Sequence, residues 1–314
     1  MQSALAGQFR AAIRTSSLRA SPHSVCGGVP FPPLCVDEVD TFILDQDGVL
    51  FHGTEAVPGA LETVARLQGS GRRCFFVTNN SGRSRAAVAA RLNAAGLRAT
   101  ADDVVTAGYA AAQHCLACLA RTAYVVGEAG QVEELEQAGL TVSGGPAADD
   151  GASLTDADFA ALFSSGHRPD AVVVGLDSHF TYRKLAMASA FVQMGALLIG
   201  TNPDAGDRIG SGLAPGAGAL IAAVEIASGT RAVIVGKPSA TLLTQLIKAH
   251  GLEPGRCVMV GDRLDTDIAF GSAGGVRTCL VLTGVATLRE AEEVPLGDAR
   301  RPDCVLGSLA DIVW

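Results

Sequence analysis

Short apolar runs recur along the chain, and most of them close on a polar group. "VDTFILD" (39–45), "CFFVTNN" (74–80), "AYVVG" (123–127) and "AVVVGLD" (171–177) come first. "ALLIGTN" (196–202), "AVIVGKP" (232–238), "CVMVGD" (257–262) and "CLVLTG" (279–284) follow. Most are continuous stretches rich in Val and Ile, without alternation of apolar and polar positions. That is the pattern of strands covered on both faces, as in a parallel sheet. Between them apolar residues recur at helical spacing, as in "PGALETVARLQ", "SRAAVAARLNAAG", "TYRKLAMASAFVQMG", "APGAGALIAAVEIASG" and "PSATLLTQLIKAHG". Strand and helix in alternation predict a doubly wound, Rossmann-like α/β fold.

Four of the predicted strands finish on chemically active groups: Asp45, the run Thr78-Asn79-Asn80, Lys237 and Asp262. Ligands of open parallel sheets lie beyond the carboxyl ends of the strands. Four distant segments are therefore expected to bring these ends into one crevice. A turn signal at Asp47-Gly48 accounts for those two residues. It does not account for Asp45 or for the matching Thr, Lys and Asp endings.

The chain has 314 residues, 48% of them apolar and 18% charged, enough for a sizeable core. Its formal net charge of −8 argues against nucleic acid or an anionic membrane surface as partner. An acidic protein that handles anions needs a local positive site or a metal. Of the eight cysteines only Cys115 and Cys118 form a CxxC, and no second pair completes a zinc set. They fall in an apolar helical pattern and read as ordinary thiols in a reducing compartment. No apolar run reaches membrane-span length without Gly, Pro or charge. Residues 1–36 carry Arg10, Arg14 and Arg19 and no acid. An Arg- and Ser-rich, acid-free leader reads as an organelle transit peptide cleaved before Asp37, with a plain cytoplasmic tail as the alternative.

Asp45, Asp47 and Asp262, if gathered together, repel one another unless a hard cation sits between them. Oxygen-only ligands suit Mg²⁺, which keeps waters and takes one or two carboxylates plus a phosphate oxygen. Lys237, the Thr78 hydroxyl and backbone N–H groups of the helix after Asn80 would add donors for a phosphoryl group. Attack by Asp45 on a phosphate monoester splits hydrolysis into two steps through an aspartyl-phosphate. Asp47, two residues on, could offer its backbone carbonyl to Mg²⁺ and its carboxyl as general acid and then base. Asp267 is expected to act from behind, on the metal waters or on Lys237. Asp265 reads as a helix N-cap.

The motifs "DQDG", "TNNSGRSR", "GKPS" and "GDRLDTDI" resemble those of the haloacid-dehalogenase-like phosphatases, closest to the eukaryotic phosphoglycolate and 4-nitrophenyl or pyridoxal phosphatase branch. The likeness runs from about Val39 to the C-terminus. It implies Asp45 as nucleophile, Asp47 as acid–base, phosphate held by Thr78, Asn79, Asn80 and Lys237, and Mg²⁺ held by Asp45, Asp47 and Asp262. It also implies an inserted α/β cap over residues 107–231, leaving a catalytic core of 37–106 plus 232–314 behind the leader. Relatives often dimerise through the cap, and "YRKLAMASAFVQ" could supply a homodimer face, although an apolar helix stripe is more often core. Gln46 stands where relatives usually carry an apolar residue or Cys. Alternation along a strand turns it away from the metal.

The substrate is the least legible part. "GTNPDAGDRIGSGLAPGAG" reads as a loop over the site, with Arg208 as a candidate for a substrate carboxylate. His179, Arg183 and Lys184 are further cationic candidates, each explained as well by capping or a solvated helix face. 2-Phosphoglycolate, a photorespiratory product, fits the resemblance together with a plastid address. A mitochondrial or cytoplasmic address, and pyridoxal phosphate or a broad range of monoesters, are the alternatives. A response-regulator receiver uses a similar set of residues as a switch, but the order of motifs, the length and the presence of Asp47 count against it. A silent scaffold would not need every one of these side chains.

Overall fold

The computed structural model describes residues 31–146, 154–209 and 212–314, apart from the side chains of Asp207, Arg208, Ile209 and Leu213. The first strands are β1 (Thr41–Leu44), β2 (Phe51–His52), β3 (Glu55–Ala56), β4 (Arg73–Thr78) and β5 (Val104–Thr106). Next come β6 (Thr122–Val126), β7 (Thr141–Gly144), β8 (Ala171–Val174), β9 (Leu197–Gly200), β10 (Gly206–Ile209) and β11 (Gly212–Pro215). The last are β12 (Val233–Ile234), β13 (Cys257–Gly261), β14 (Arg277–Val281) and β15 (Cys304–Leu306). All eight predicted strands are present. The periodicity missed the short ones: β2, β3, β5, β7, β10, β11 and β15.

The strands form two separate parallel sheets. One has the order β15-β14-β13-β1-β4-β5, the other β12-β9-β8-β6-β7. β2–β3 and β10–β11 are small hairpins. In the first sheet Leu44 of β1 lies opposite Phe76 of β4 on one side and Val260 of β13 on the other. The chain leaves β1 toward β4 and β5, and later fills the other side through β13, β14 and β15. β1 thus lies where the strand order reverses, which is where such sheets bind ligands. Every residue of β1 is buried, which is why its sequence does not alternate.

The helices that matter for the site are α1 (Ala60–Gly69), α2 (Arg85–Ala94), α3 (Ala107–Ala117), α4 (Ala129–Gln137) and α5 (Asp156–Ser165). They continue with α6 (Tyr182–Gln193), α7 (Ala217–Ser228) and α8 (Thr241–His250). α6, offered above as a dimer face, turns Ala188, Phe191 and Val192 into the core of the second sheet with α7. The cap expected over 107–231 contains four strands of that sheet. The fifth, β12, lies just beyond, at Val233–Ile234.

Two expectations need correction. Residues 31–36, assigned above to the leader, pack with the folded body. Phe31, Leu34 and Val36 are buried, and Cys35 bridges to Val313. Their lack of acids said nothing about their apolar side chains, which found a core. The remainder of the leader, 1–30, lies outside the described residues. Secondly, "AVIVGKP" is not a strand of the sheet that ends in Asp45. Its paired part is two residues long and joins β9 in the other sheet. An apolar run reports burial on both faces but not which sheet it joins.

Candidate active site

Asp45 follows β1, Thr78 ends β4, and Asp262 follows β13. These three strands are neighbours, so their ends are only about 5 Å apart from one to the next. The Asp45 N–H donates to Val260 O at 2.9 Å, which continues the ladder one residue and leaves the side chain at the strand's exit. Lys237 arrives from the far side, in the segment that leaves the second sheet. Its ammonium donates to Asp45 Oδ1 at 2.5 Å and to Asp267 Oδ1 at 2.7 Å. Carboxylate oxygens of Asp45, Asp262 and Asp267 all lie within 4.8 Å of one another, and the three residues are buried.

Three buried carboxylates around one bonded ammonium are electrostatically short of positive charge. Burial, with the charges of Asp267 and Asp262 adding to it, pushes the Asp45 carboxyl well above the usual range against the pull of Lys237. Burial first and Asp267 second push Asp262 up to about 7. Burial works against the Lys237 charge, but Asp267 and Asp45 outweigh it and raise the ammonium's pKa. A hard divalent cation with oxygen ligands removes this deficit, so the donor set fits Mg²⁺.

Glycines make the approach possible. A Cβ on Gly284 would lie 1.9 Å from Asp262 Oδ2, and one on Gly261 would lie 2.1 Å from Asp267 Cβ. Val285 N–H donates to Asp262 Oδ2 at 2.8 Å. Both oxygens of Asp267 are engaged: Oδ1 by Lys237, and Oδ2 by the backbone N–H groups of Asp262 and Arg263 at 3.2 and 3.1 Å. Asp267 therefore braces Lys237 and the Asp262 turn. Asp265 is not an N-cap. It lies inside the π-helical turn Leu264–Ile268, whose N-cap is Arg263, and pairs with Arg263 at the surface.

The remaining expected residues divide. Thr78 is buried and its Oγ1 accepts the Asn80 N–H at 3.1 Å. Asn80 is exposed and its Oδ1 accepts the Gly82 N–H at 2.8 Å, shaping the loop before α2. Asn79 is tied to other segments through its side chain: Oδ1 accepts the Lys237 N–H at 2.9 Å and Nδ2 donates to Asp204 Oδ2 at 3.1 Å. Asp47 is exposed at the start of the turn that carries Gly48. Gln46 is buried, and its Nε2 has no hydrogen-bond partner among the described residues.

Arg208 falls in β10, opposite Leu213, and its side chain lies outside the described residues. Lys184 is buried and spent on Asp177, with Nζ 2.8 Å from Oδ2, so it is not available to a substrate. His179 is exposed, and its N–H donates to Asp177 Oδ1 at 2.8 Å. Arg183 is half-buried on the first turn of α6. Sequence reasoning missed Asn202 and Asp204. Asn202 Nδ2 donates to Asn79 O at 2.7 Å, and its Oδ1 accepts the Asp204 N–H at 3.1 Å. The signal was present: "GTN" after β9 repeats the Thr-Asn ending of β4.

Comparison with known proteins shows the family. A profile of haloacid dehalogenase-like hydrolases matches residues 42–141, and a second, described as HAD-hydrolase-like, matches residues 234–312. Human glycerol-3-phosphate phosphatase is 39% identical over 295 residues, covering 88% of this chain and 90% of its own length. Phosphoglycolate phosphatase 2 of Arabidopsis thaliana is 37% identical over 284 residues, covering 88% of this chain and 93% of its own. Among solved structures, a glycerol phosphate phosphatase from Mycobacterium tuberculosis in complex with magnesium superimposes with a TM-score of 0.74 at 32% identity, covering 88% of this chain and 77% of that one. With its parallel sheets, its acid cluster beyond β1 and these relatives, the chain belongs to the haloacid dehalogenase-like hydrolases and is a phosphatase of that family.

Proposed function

We propose that this phosphatase hydrolyses 2-phosphoglycolate to glycolate and phosphate, with Mg²⁺, through an aspartyl-phosphate on Asp45. The observation that carries the chemistry is the contact of Lys237 Nζ with Asp45 Oδ1 at 2.5 Å, inside a cluster of buried carboxylates at the end of β1.

In this reading Asp45, Asp262 and the backbone carbonyl of Asp47 hold Mg²⁺, which when bound neutralises charge on the phosphoryl oxygens. An Asp45 carboxylate oxygen forms a bond to phosphorus while the bond to the ester oxygen breaks. Asp47 gives its proton to the departing alkoxide. Water then attacks phosphorus, Asp47 takes the proton back, and the Asp45–phosphorus bond breaks to release phosphate. Lys237 balances the charge of Asp45 before attack and that of the phosphoryl oxygens during it. Thr78 and the backbone around Asn79 and Asn80 seat the phosphoryl group. Asp267 holds Lys237, and the second sheet, as a cap, keeps bulk water out.

The Arabidopsis phosphoglycolate phosphatases support the substrate, at 37% identity and, for two chloroplastic forms, 34%. Glycerol 3-phosphate is the second reading, favoured by the human relative at 39%. We propose Arg208, on the β10–β11 hairpin, as the residue that distinguishes the two, because only phosphoglycolate carries a carboxylate. A homodimer through the cap and a plastid address for a chain led by residues 1–30 complete the proposal. The chloroplastic relatives support that address.

The test compares kcat/KM for 2-phosphoglycolate, glycerol 3-phosphate, pyridoxal phosphate and 4-nitrophenyl phosphate, with Asp45→Asn alongside. A preference for phosphoglycolate of about 100-fold, roughly 3 kcal/mol in the transition state, supports it. An equal or greater rate on glycerol 3-phosphate transfers the assignment to that substrate. Activity of Asp45→Asn would remove the covalent route.

A further inference from the structure

Asn79 lies in the loop expected to hold phosphate, yet its side chain is occupied elsewhere. Oδ1 accepts the backbone N–H of Lys237 at 2.9 Å, and Nδ2 donates to the backbone carbonyl of the same lysine at 3.3 Å. One side-chain amide thus grips both main-chain groups of Lys237, 158 positions away. Nδ2 also donates to Asp204 Oδ2 at 3.1 Å. The main-chain carbonyl of Asn79 accepts Asn202 Nδ2 at 2.7 Å. Asn202 and Asp204 belong to the loop that leaves β9 of the second sheet, so the amide joins that loop to the lysine that touches Asp45.

The packing leaves little slack. A Cβ on Gly236 would lie 2.8 Å from Asn79 Oδ1 and 2.4 Å from Thr201 O, so only glycine lets the lysine segment approach both. The other oxygen of Asp204, Oδ1, is buried and makes no hydrogen bond among the described residues. The carboxylate therefore depends on Asn79 for its side-chain partner, and a misplaced amide leaves a buried charge unsatisfied.

We propose that the side chain of Asn79 is a positioning group and not a phosphate ligand: it seats Lys237 against Asp45 and makes that seat depend on the Asn202–Asp204 loop of the second sheet. The proposal rests on the role given to Lys237 and Asp45 above. When the loop is docked, Asp204 orients the amide, the amide orients the Lys237 backbone, and the ammonium reaches Asp45.

A charge swap tests this. In Asn79→Asp two carboxylates face each other across the loop contact, and the Lys237 carbonyl loses its donor. When Asn79→Asp is combined with Asp204→Asn, the amide introduced at position 204 donates to the carboxylate introduced at position 79, while the Lys237 N–H keeps its acceptor. All variants are assayed in the full chain with Mg²⁺ and 4-nitrophenyl phosphate, with inorganic phosphate as a competitive probe. Expected is a fall in kcat of at least about 30-fold for Asn79→Asp, with KM and the phosphate inhibition constant changed less than about threefold. The double variant regains about tenfold or more. No regain overturns the proposal, and a rise in KM and in the phosphate inhibition constant overturns it by making the Asn79 side chain a phosphate ligand. Should Asn79→Asp fail to fold, Asn79→Ser removes the grip without adding charge. A loss confined to kcat supports the role, and a loss in KM overturns it. Lys237→Ala separates the two levels: full activity there sinks both the site reading and this role, whereas an inactive Lys237→Ala with no rescue sinks this role alone.

Discussion

Gly48 and Asp262 meet with no room for a side chain between them. A Cβ on Gly48 would lie 2.5 Å from Asp262 Oδ2, and Gly48 holds a φ of +85°. Thr283 Oγ1 donates to Gly48 O at 2.6 Å and pins the turn in place. The turn after Asp47 is thus shaped against the carboxylate expected to bind the metal.

Gly48→Ala should therefore disable the enzyme. The left-handed φ costs about 1 kcal/mol for a residue with a Cβ, and the methyl group must displace Asp262. Activity is expected to fall about 100-fold or more, with a raised Mg²⁺ concentration for half-activity. Gly53 is a control, because it too has positive φ, +61°, but nothing lies within 4 Å of its Cβ. Gly53→Ala should cost some stability and leave kcat intact. Equal activity of the two variants would show that the Gly48–Asp262 contact does not matter.

Lys237→Met strands two buried acids. Both partners and the lysine are nearly inaccessible, at 9%, 1% and 4% exposure. Removing one member of a buried ion pair typically costs about 3–5 kcal/mol. A fall in Tm on the order of 10 °C is expected for the metal-free protein. Adding Asp267→Asn should recover part of the stability and none of the activity. An unchanged Tm for Lys237→Met would mean that the cluster is not strained by its own charge.

The metal-free protein should become less stable as pH rises through the neutral range. Asp262 binds its proton more tightly folded, at about 7, than unfolded, at the ordinary value of 3.8. A raised folded pKa gives stability that is fully present below the unfolded value and lost as pH climbs through the folded one. Between about pH 5 and 8, then, this group favours the acid side, and Mg²⁺ should raise Tm more at about pH 8 than at about pH 6. Asp262→Asn should weaken the pH dependence without metal, leaving the part owed to Asp45, whose carboxyl is also raised by burial. The same slope in that variant would place its origin elsewhere.

Among Cys74, Cys115 and Cys118, thiol chemistry should single out Cys118. It is exposed and 3.7 Å from His114 Nε2, whereas Cys115 is buried. Burial, with a smaller contribution from Cys118, pushes the Cys115 thiol up to about 12, and burial first also takes Cys74 to about 12. At about pH 8 both stay protonated and unreactive. Iodoacetamide on the native protein followed by peptide mapping should label Cys118 and spare Cys74 and Cys115. Comparable labelling of all three would contradict the burial of Cys74 in β4 and of Cys115 in α3.

Much of the site was legible because its chemistry sits at strand ends, and strand ends are marked in sequence by an apolar run meeting a polar group. Asp45, Thr78 and Asp262 are in that class, and β1, β4 and β13 are adjacent in one sheet. Asp267 follows Asp262 closely in the chain, so its nearness to the Asp262 turn was legible, while its contact with Lys237 was only an expectation. Lys237 does reach Asp45 and Asp267, but it does not end a strand of the same sheet. Asn79 was read by its neighbours in the chain, but its partners are Lys237, Asn202 and Asp204.

By itself, then, the sequence determined which segments are buried on both faces, which residues stand at their ends, and that acids, a lysine and a threonine occur in a phosphatase's order. These follow from local pattern, because burial and turn chemistry are written over a few neighbouring residues. Only the tertiary structure decided that "AVIVGKP" serves the second sheet, that residues 31–36 join the folded body, and that Asn79 grips a lysine far along the chain. Strand pairing and side-chain partners depend on contacts between distant segments. A hydrogen bond across 158 positions leaves no periodicity for a reader of the sequence to find.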